Sequence, residues 1–371
     1  MKANKDFARD GIMAMSPYIP GKPVEEVQKE YGLSDIIKMA SNENPLKTSP
    51  KAVEAMKAEL EKSYMYPEGS SPAVREALSE ALGIDKHNIL VGNGGDNVIA
   101  MICEAFVNEG EEVIVGDPSF KTYELATTII GGKLVRVPLK NMTMDLDAML
   151  AAVTERTKLI FLCNPNNPTG TIVRRSEVDV FMKRVPDHCI VVFDEAYFEY
   201  VSDKDYPNGL DYVKRGDNVM VIRTFSKVYG LAGNRIGYGI APDHLMDVFS
   251  RVMPAFPANR IAQAGAVAAL HDKEFLHTVL TTNAQGRSYL CAEFDKLAMP
   301  YAESHSNFIF VDVGMPVSEA YPKLLSRGII VRPGTPWGYP TWFRITIGTM
   351  DENRKLIAEL SMLSKQYGRN V

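Results

Sequence analysis

Three apolar runs decide the fold: KLIFLCNPNNPTG (158–170), CIVVFDEAY (189–197) and NVMVIRTFSKVYGLAGNRIGYGIA (218–241). The first run in each segment is the length of a strand and hydrophobic without alternation, as expected for strands covered on both faces. Just beyond these runs stand the polar residues Asn167, Asp194 and Lys227. In open parallel sheets ligands lie past the carboxyl ends of the strands, so these three are the first candidates for a site.

Outward from this centre the same rhythm continues. NILVG (88–92), EVIVG (112–116) and KLVRVP (133–138) read as further strands, separated by helical patterns at 49–62, 71–82, 96–108, 119–130, 176–185 and 244–253. Ser49, Ser71 and Ser119 stand where helix caps are wanted. After Pro254 the pattern changes to one helical region over 259–298, then the strands SNFIFVDV (306–313) and WFRITIG (342–348) around a helix, and a closing helix over 351–367. Pro17, Pro20, Gly21, Pro23 and Pro45 make the start too irregular for the sheet, leaving an arm with one short helix at 23–31. The expectation is an α/β chain with a mostly parallel central sheet and a second, smaller α+β domain. Residues 1–45 would form the arm, 46–253 the large domain and 254–371 the small one. A chain of 371 residues exceeds the ~250–300 at which a single core stops growing.

Hydrophobic residues make up 46% and charged residues 23% of the chain, which excludes a disordered or fibrous class. A formal net charge of −5 supplies no basic field for nucleic acid. Cys103, Cys163, Cys189 and Cys291 sit apart in apolar surroundings with no CxxC pair, as in a cytoplasmic protein with free thiols. The N-terminus lacks the apolar stretch of a signal peptide, and no later run is long enough to span a membrane. None of the six histidines shows a metal-ligand spacing, so no metal is expected.

Lys227 places an amine after a strand and beside glycines that allow close backbone approach. Alone it reads more readily as a surface lysine, but Thr224 and Ser226 precede it and Arg235 follows eight residues on. Two hydroxyls, a guanidinium and an amine suit a phosphate ester carried next to an aldehyde carbon. The turn Gly92-Asn93-Gly94-Gly95-Asp96 leads into a helix whose free N–H groups favour a phosphate, although a plain strand-to-helix turn would also need those glycines. Asn97 stands where the last glycine of a dinucleotide motif would be. Asp194, closing an apolar strand, requires a positive partner, and a protonated ring nitrogen would serve.

SNENP (41–45), YPEG (66–69), PSFKTY (118–123), NPNNPTG (164–170), DEAYFEY (194–200), TFSKVYGLAGNRIGY (224–238) and FRITIGT (343–349) together resemble the aminotransferases of pyridoxal-phosphate fold type I in order and spacing. The resemblance covers nearly the whole chain. It is strongest to the histidinol-phosphate aminotransferase family, through SPYIPGKPVEEV (16–27) and GIIVRPG (328–334) as well.

The resemblance implies an aspartate-aminotransferase-like fold, pyridoxal 5′-phosphate (PLP) as cofactor and a homodimer whose sites draw on both subunits. It makes Lys227 the lysine holding the cofactor as a Schiff base, Asp194 the partner of the pyridine nitrogen, and Asn167 and Tyr197 the donors to the ring oxygen, with Phe120 stacked on the ring. Gly95, Asp96, Thr224, Ser226, Arg235 and the other subunit's Tyr66 would hold the phosphate. Arg344 would hold the substrate carboxylate, with Arg332, Tyr18 and Asn42 completing the substrate site. Many family members carry Tyr in place of Phe120 and Glu in place of Asn97; the first change removes a hydroxyl but keeps a stacking face.

The implied reaction moves the amino group of histidinol phosphate to 2-oxoglutarate, giving imidazole acetol phosphate and glutamate in histidine biosynthesis. Trp337, Tyr339, Trp342 and Phe343 near the expected substrate mouth also admit aromatic amino acids. A related decarboxylase acting on threonine phosphate would use the same lysine, aspartate and arginine.

Overall fold

The computed structural model describes residues 7–9, 11–15, 17 and 21–367. The chain opens with α1 (Val24–Tyr31), β1 (Ile37–Lys38), α2 (Pro50–Leu60) and α3 (Pro72–Leu82). An alternating series follows: β2 (Ile89–Gly92), α4 (Gly95–Phe106), β3 (Glu112–Asp117), α5 (Thr122–Ile129), β4 (Lys133–Pro138), α6 (Leu146–Ala151), β5 (Thr157–Cys163) and α7 (Arg175–Met182). It continues through β6 (Ile190–Asp194), α8 (Gly209–Arg215), β7 (Val219–Thr224), β8 (Gly237–Ile240) and α9 (Asp243–Phe249). The last part comprises α10 (Arg260–His271), α11 (Lys273–Lys296), β9 (Phe308–Asp312), α12 (Val317–Ser326), β10 (Ile329–Ile330), β11 (Arg332–Pro333), β12 (Trp342–Thr346) and α13 (Met350–Gln366).

The central sheet has seven strands in the order β2-β8-β7-β6-β5-β3-β4. From β7 to β4 every pairing is parallel, while β8 runs antiparallel to both β7 and β2. Strands β2, β7 and β8 are buried along their whole length, as expected where helices cover both faces. The register sets Asp194 opposite Ile222 and Cys163 opposite Asp194, bringing three strand tips to one edge.

A second core gathers β9 and β12, α12, α13 and the end of α11, together with Ile37 and Met39 from the start of the chain. β1 pairs with β10, so the arm is stitched into this smaller unit by a two-residue parallel ladder. Thr349 closes a capping box with Glu352 at the start of α13, which fixes where that helix begins.

The boundary expected at Pro254 is corrected by the packing. Ala258, Ala262, Ala266, Ala269, Leu270 and Val279 belong to the first core, whereas Leu290 and Phe294 belong to the second. α10 therefore covers the large unit, and the cores divide within α11. The single helix expected over 259–298 is broken at Asp272, whose buried carboxylate accepts from Ser49 Oγ (2.5 Å) and Lys51 Nζ (3.1 Å). Two of the three expected serine caps also differ. Ser49 caps α2 by accepting from Ala52 N; Ser71 makes no side-chain cap, and Ser119 donates to Asn166 Oδ1 at 2.8 Å, so α5 starts three residues later. Among the described residues no helix is long and apolar enough to cross a membrane.

Candidate active site

The carboxyl ends of β5, β6 and β7 and the first turn of α4 enclose one cavity. Lys227, Asp194, Tyr197, Asn167, Asn42, Phe120, Gly95, Asp96, Thr224, Ser226, Arg235, Arg332 and Arg344 all line it. Residues separated by up to three hundred positions in sequence meet there because the strand tips align and Ala40–Asn42 passes over them on its way out of the small unit.

At the centre lie two ionisable groups that form no ion pair with each other. Asp194 is buried; its Oδ2 accepts from Tyr123 Oη at 2.6 Å and its Oδ1 from Ala196 N at 3.2 Å. Burial pushes its carboxyl up to about 6, against the pull of those two donors. The Lys227 amine lies 3.5 Å from the Ser41 carbonyl and is pushed down to about 8, first by desolvation and then by the charge of Arg344. A carboxylate held out of water is a socket for a cation, and an amine lowered in this way is available as a nucleophile or base near neutral pH.

Tyr197 Oη accepts from Asn42 Nδ2 (3.0 Å) and Asn167 Nδ2 (3.4 Å). With both amides donating to it, the hydroxyl has its own proton to give to an oxygen in the cavity. Burial raises its pKa, so it stays protonated. Asn42 is itself held by Thr346 and Asn307, and its φ of 56° is a left-handed conformation unusual for a side chain other than glycine.

Arg344 donates from Nη1 to Asn167 Oδ1 (2.6 Å) and from Nη2 to the Ala40 carbonyl (2.7 Å). Its guanidinium lies 5.4 Å from the Phe308 ring centre and 5.3 Å from that of Trp337. These contacts fix the plane of the fork, which suits bidentate capture of a carboxylate or phosphate.

On the opposite wall, α4 begins with no side-chain cap, so its first amides are directed at the cavity. Gly94 has φ +83°, and a Cβ there would stand 2.3 Å from Arg235 Nη2; glycine lets the guanidinium lie against the turn. Arg235, also left-handed at φ 56°, reaches Asp96 Oδ2 at 3.3 Å. With Thr224 and Ser226 the set offers hydroxyls, amides and a guanidinium to an anion.

The sequence profile of the family "Aminotransferase class I and II" matches residues 34–360. The chain belongs to the class I and II aminotransferases. It is 46% identical over 353 residues to histidinol-phosphate aminotransferase of Moorella thermoacetica, covering 95% of this chain and 92% of that one. To the Anoxybacillus flavithermus protein of the same name it is 42% identical, covering 96% of each. Among solved structures, histidinol-phosphate aminotransferase from Sinorhizobium meliloti in complex with pyridoxal-5′-phosphate superposes with a TM-score of 0.87 at 28% identity, over 96% of this chain and 97% of that one.

For this aminotransferase one expected site residue stands apart from the cavity's described walls. Tyr66 is 77% exposed and stacks on Phe256 at 4.5 Å, outside the cavity of its own chain; Tyr18 lies outside the described residues. The aromatic mouth expected from 334–343 is also corrected. Phe343 is buried in the small core, and Tyr339 and Trp342 pack around Phe310. Trp337 alone of the four faces an adjoining cavity, which shares Phe120, Asn167, Arg332 and Arg344 with the first. No group of three His, Cys, Asp or Glu side chains is arranged to hold a metal among the described residues.

The residue that sequence reasoning passed over is Tyr123. Its ring stacks on Phe161 at 4.4 Å while its hydroxyl grips Asp194. The only signal was its place in PSFKTY, since the contact arises where α5 brings the Tyr123 side chain to Phe161 of β5 and to Asp194 at the end of β6.

Proposed function

We propose that this aminotransferase binds pyridoxal phosphate at Lys227 and transfers the amino group of histidinol phosphate to 2-oxoglutarate. The observation that carries the reading is the presence in one cavity of a buried carboxylate and a depressed lysine, neither paired with a charged group of its own. The residues fit the cofactor group by group. Asp194 is a socket for a protonated pyridine nitrogen, Tyr197 for the ring oxygen, Phe120 for the ring face, and the start of α4 with Thr224, Ser226 and Arg235 for the phosphate.

Bound there, the cofactor supplies a sink for the electrons left when the proton leaves the substrate's Cα. The protein's own groups do the rest. Lys227 Nζ would carry the cofactor between turnovers and, once displaced by the substrate amine, take the proton from Cα and return it to the cofactor's carbon. Asp194 would keep the ring nitrogen protonated, and Tyr197 would stabilise negative charge on the ring oxygen with its proton. Arg344, fixed by Asn167 and the two aromatic rings, would orient the carboxylate of glutamate in one half-reaction. With Arg332 beside it in the cavity, it would hold the phosphate of histidinol phosphate in the other.

Single-turnover absorbance measurements with histidinol phosphate, phenylalanine and threonine phosphate test the assignment. Fast conversion of the cofactor by histidinol phosphate is expected. Conversion chiefly by phenylalanine would instead favour an aromatic amino acid, for which Trp337, Pro336 and Leu134 in the adjoining cavity offer an apolar wall. Loss of CO₂ from threonine phosphate would make the protein a decarboxylase.

The working unit in this proposal is a homodimer in which Tyr66 completes the partner's phosphate site. Its support is the resemblance together with an exposed hydrophobic surface of Tyr64, Met65, Tyr66 and Phe256 that would be costly to leave in water. Mixing inactive Tyr66→Ala and Lys227→Ala proteins under exchange conditions should restore about a quarter of wild-type activity, because a mixed dimer then has one site with both residues intact. No recovery, in a mixture shown to have exchanged subunits, would rule the shared site out. The four cysteines carry no disulfide, which suits the reducing cytoplasm where we place the protein; fractionation of cells producing it would check that.

A further inference from the structure

Asp194 and Thr224 close neighbouring parallel strands and face the cavity. Because side chains alternate along a strand, the adjacent residues Glu195 and Arg223 face the other side of the sheet. Neither lines the cavity. They form a buried ion pair: Arg223 Nε and Nη2 donate to Glu195 Oε2 at 2.9 and 2.8 Å, and both side chains are almost wholly excluded from solvent.

Both members of the pair are also tied to the turn that opens α8. Arg223 Nη2 also donates to Asn208 Oδ1 (2.9 Å), and Glu195 Oε1 accepts from Gly209 N (2.7 Å) at the start of α8. The guanidinium lies 3.6 Å from the ring centre of Phe198, in the turn that follows Tyr197. Glu195 N donates to the Ile222 carbonyl at 2.9 Å, carrying the ladder between β6 and β7 one step past Asp194.

Stability alone is a weak reason for such a pair, because desolvation offsets most of the attraction, and apolar residues of similar size often serve as well or better. Directional bonds supply what apolar packing would not, namely a fixed offset between two strand tips. We propose that Glu195 and Arg223 are positioning residues, which set the separation of Asp194 from the Thr224–Lys227 turn from behind the sheet. The inference rests on the cofactor reading above, since those two groups would grip opposite ends of pyridoxal phosphate.

The test compares wild type with Glu195→Gln, Arg223→Met and the double variant Glu195→Leu/Arg223→Met. Three quantities are read: melting temperature of the apoprotein, dissociation constant for pyridoxal phosphate by equilibrium dialysis, and circular dichroism of the bound cofactor. Arg223→Met strands a buried carboxylate and should lower both melting temperature and affinity. The double variant removes both charges and leaves Gly209 N without its acceptor, so it should melt below wild type but above Arg223→Met, yet bind the cofactor ~10–100-fold more weakly than wild type, the loss typical when a supporting shell is removed, with altered dichroism. Wild-type affinity and dichroism in the double variant would reduce the pair to a structural role and overturn the proposal. Should the Met variants fail to fold, Glu195→Gln decides, because it keeps the shape and weakens the charge-assisted bonds. Because Glu195→Gln leaves the buried guanidinium without its counter-charge, its melting temperature should fall as well; weaker binding with altered dichroism, measured well below that temperature, supports positioning, and unchanged binding overturns it. If wild type itself bound no pyridoxal phosphate, the cofactor reading would fail and take this inference with it; cofactor binding that ignores the pair sinks the inference alone.

Discussion

Lys227→Ala should lower turnover of histidinol phosphate by at least ~10⁴-fold, because one side chain supplies both covalent attachment and proton transfer. No other group in the cavity can replace it. The remaining basic side chains there, Arg235, Arg332 and Arg344, are guanidiniums, planar donor forks with no primary amine to carry the cofactor. The folded structure should be little affected, since the amine makes a long contact with the Ser41 carbonyl and a distant one with the Tyr197 ring, 5.8 Å from its centre. A small primary amine added to the variant should recover part of the rate, by replacing the lost base in the space the side chain leaves. The depressed pKa gives a second check. Attachment of the cofactor to the apoprotein needs the neutral amine, whose fraction grows as pH rises towards about 8. The association rate of wild type should therefore climb through that point, where half the amine is neutral, and level off about one pH unit above it. Turnover by Lys227→Ala within tenfold of wild type would remove Lys227 from the centre of the mechanism.

The sequence made the strands and their polar ends legible because both are written locally. A continuous apolar run followed by Asp194 or Lys227 needs no knowledge of the rest of the chain, and the resulting cavity contains both. Three-dimensional neighbours across the sheet were not legible in that way. The grip of Tyr123 on Asp194 depends on where α5 sets that side chain relative to the end of β6. The pairing of Glu195 with Arg223 depends on β6 and β7 being adjacent, a fact that no spacing within either segment encodes. α10 was assigned to the wrong unit because its small apolar face, Ala262, Ala266 and Ala269, suits close packing on any helix; only the structure shows that face against α2. The aromatic segment 334–343 misled for a related reason. Its rings are large enough to line a pocket or to fill a core, and Tyr339 and Trp342, both half-buried, pack around Phe310 instead.

Asp194→Asn should impair catalysis while stabilising the cofactor-free protein. The carboxyl is pushed from the ordinary 3.8 up to about 6 by burial. Below about pH 4 the carboxyl is protonated in folded and unfolded chains alike, and the aspartate costs nothing. Between about 4 and 6 the unfolded chain ionises first, so stability falls as pH rises through that window, by an amount on the order of 3 kcal/mol, and stays lower above it. Asparagine has no charge to bury and escapes that loss. Its amide can still accept from Tyr123, but the weaker 3.2 Å bond from Ala196 N then faces a donor, a penalty of about 1 kcal/mol. The ionisation term is the larger, so the apoprotein variant should be more stable than wild type at pH 7 to 8 and no more stable at pH 4. Adding pyridoxal phosphate should reverse the order, because the protonated ring nitrogen finds its counter-charge only in wild type. Turnover should fall by ~10²–10³-fold, the usual cost of removing one preorganised electrostatic partner. Denaturant titrations from pH 4 to 8, with and without cofactor, read all of this at once. Identical stability curves for the two apoproteins would mean that the Asp194 carboxylate is already compensated, and that its unpaired charge is not what draws the cofactor in.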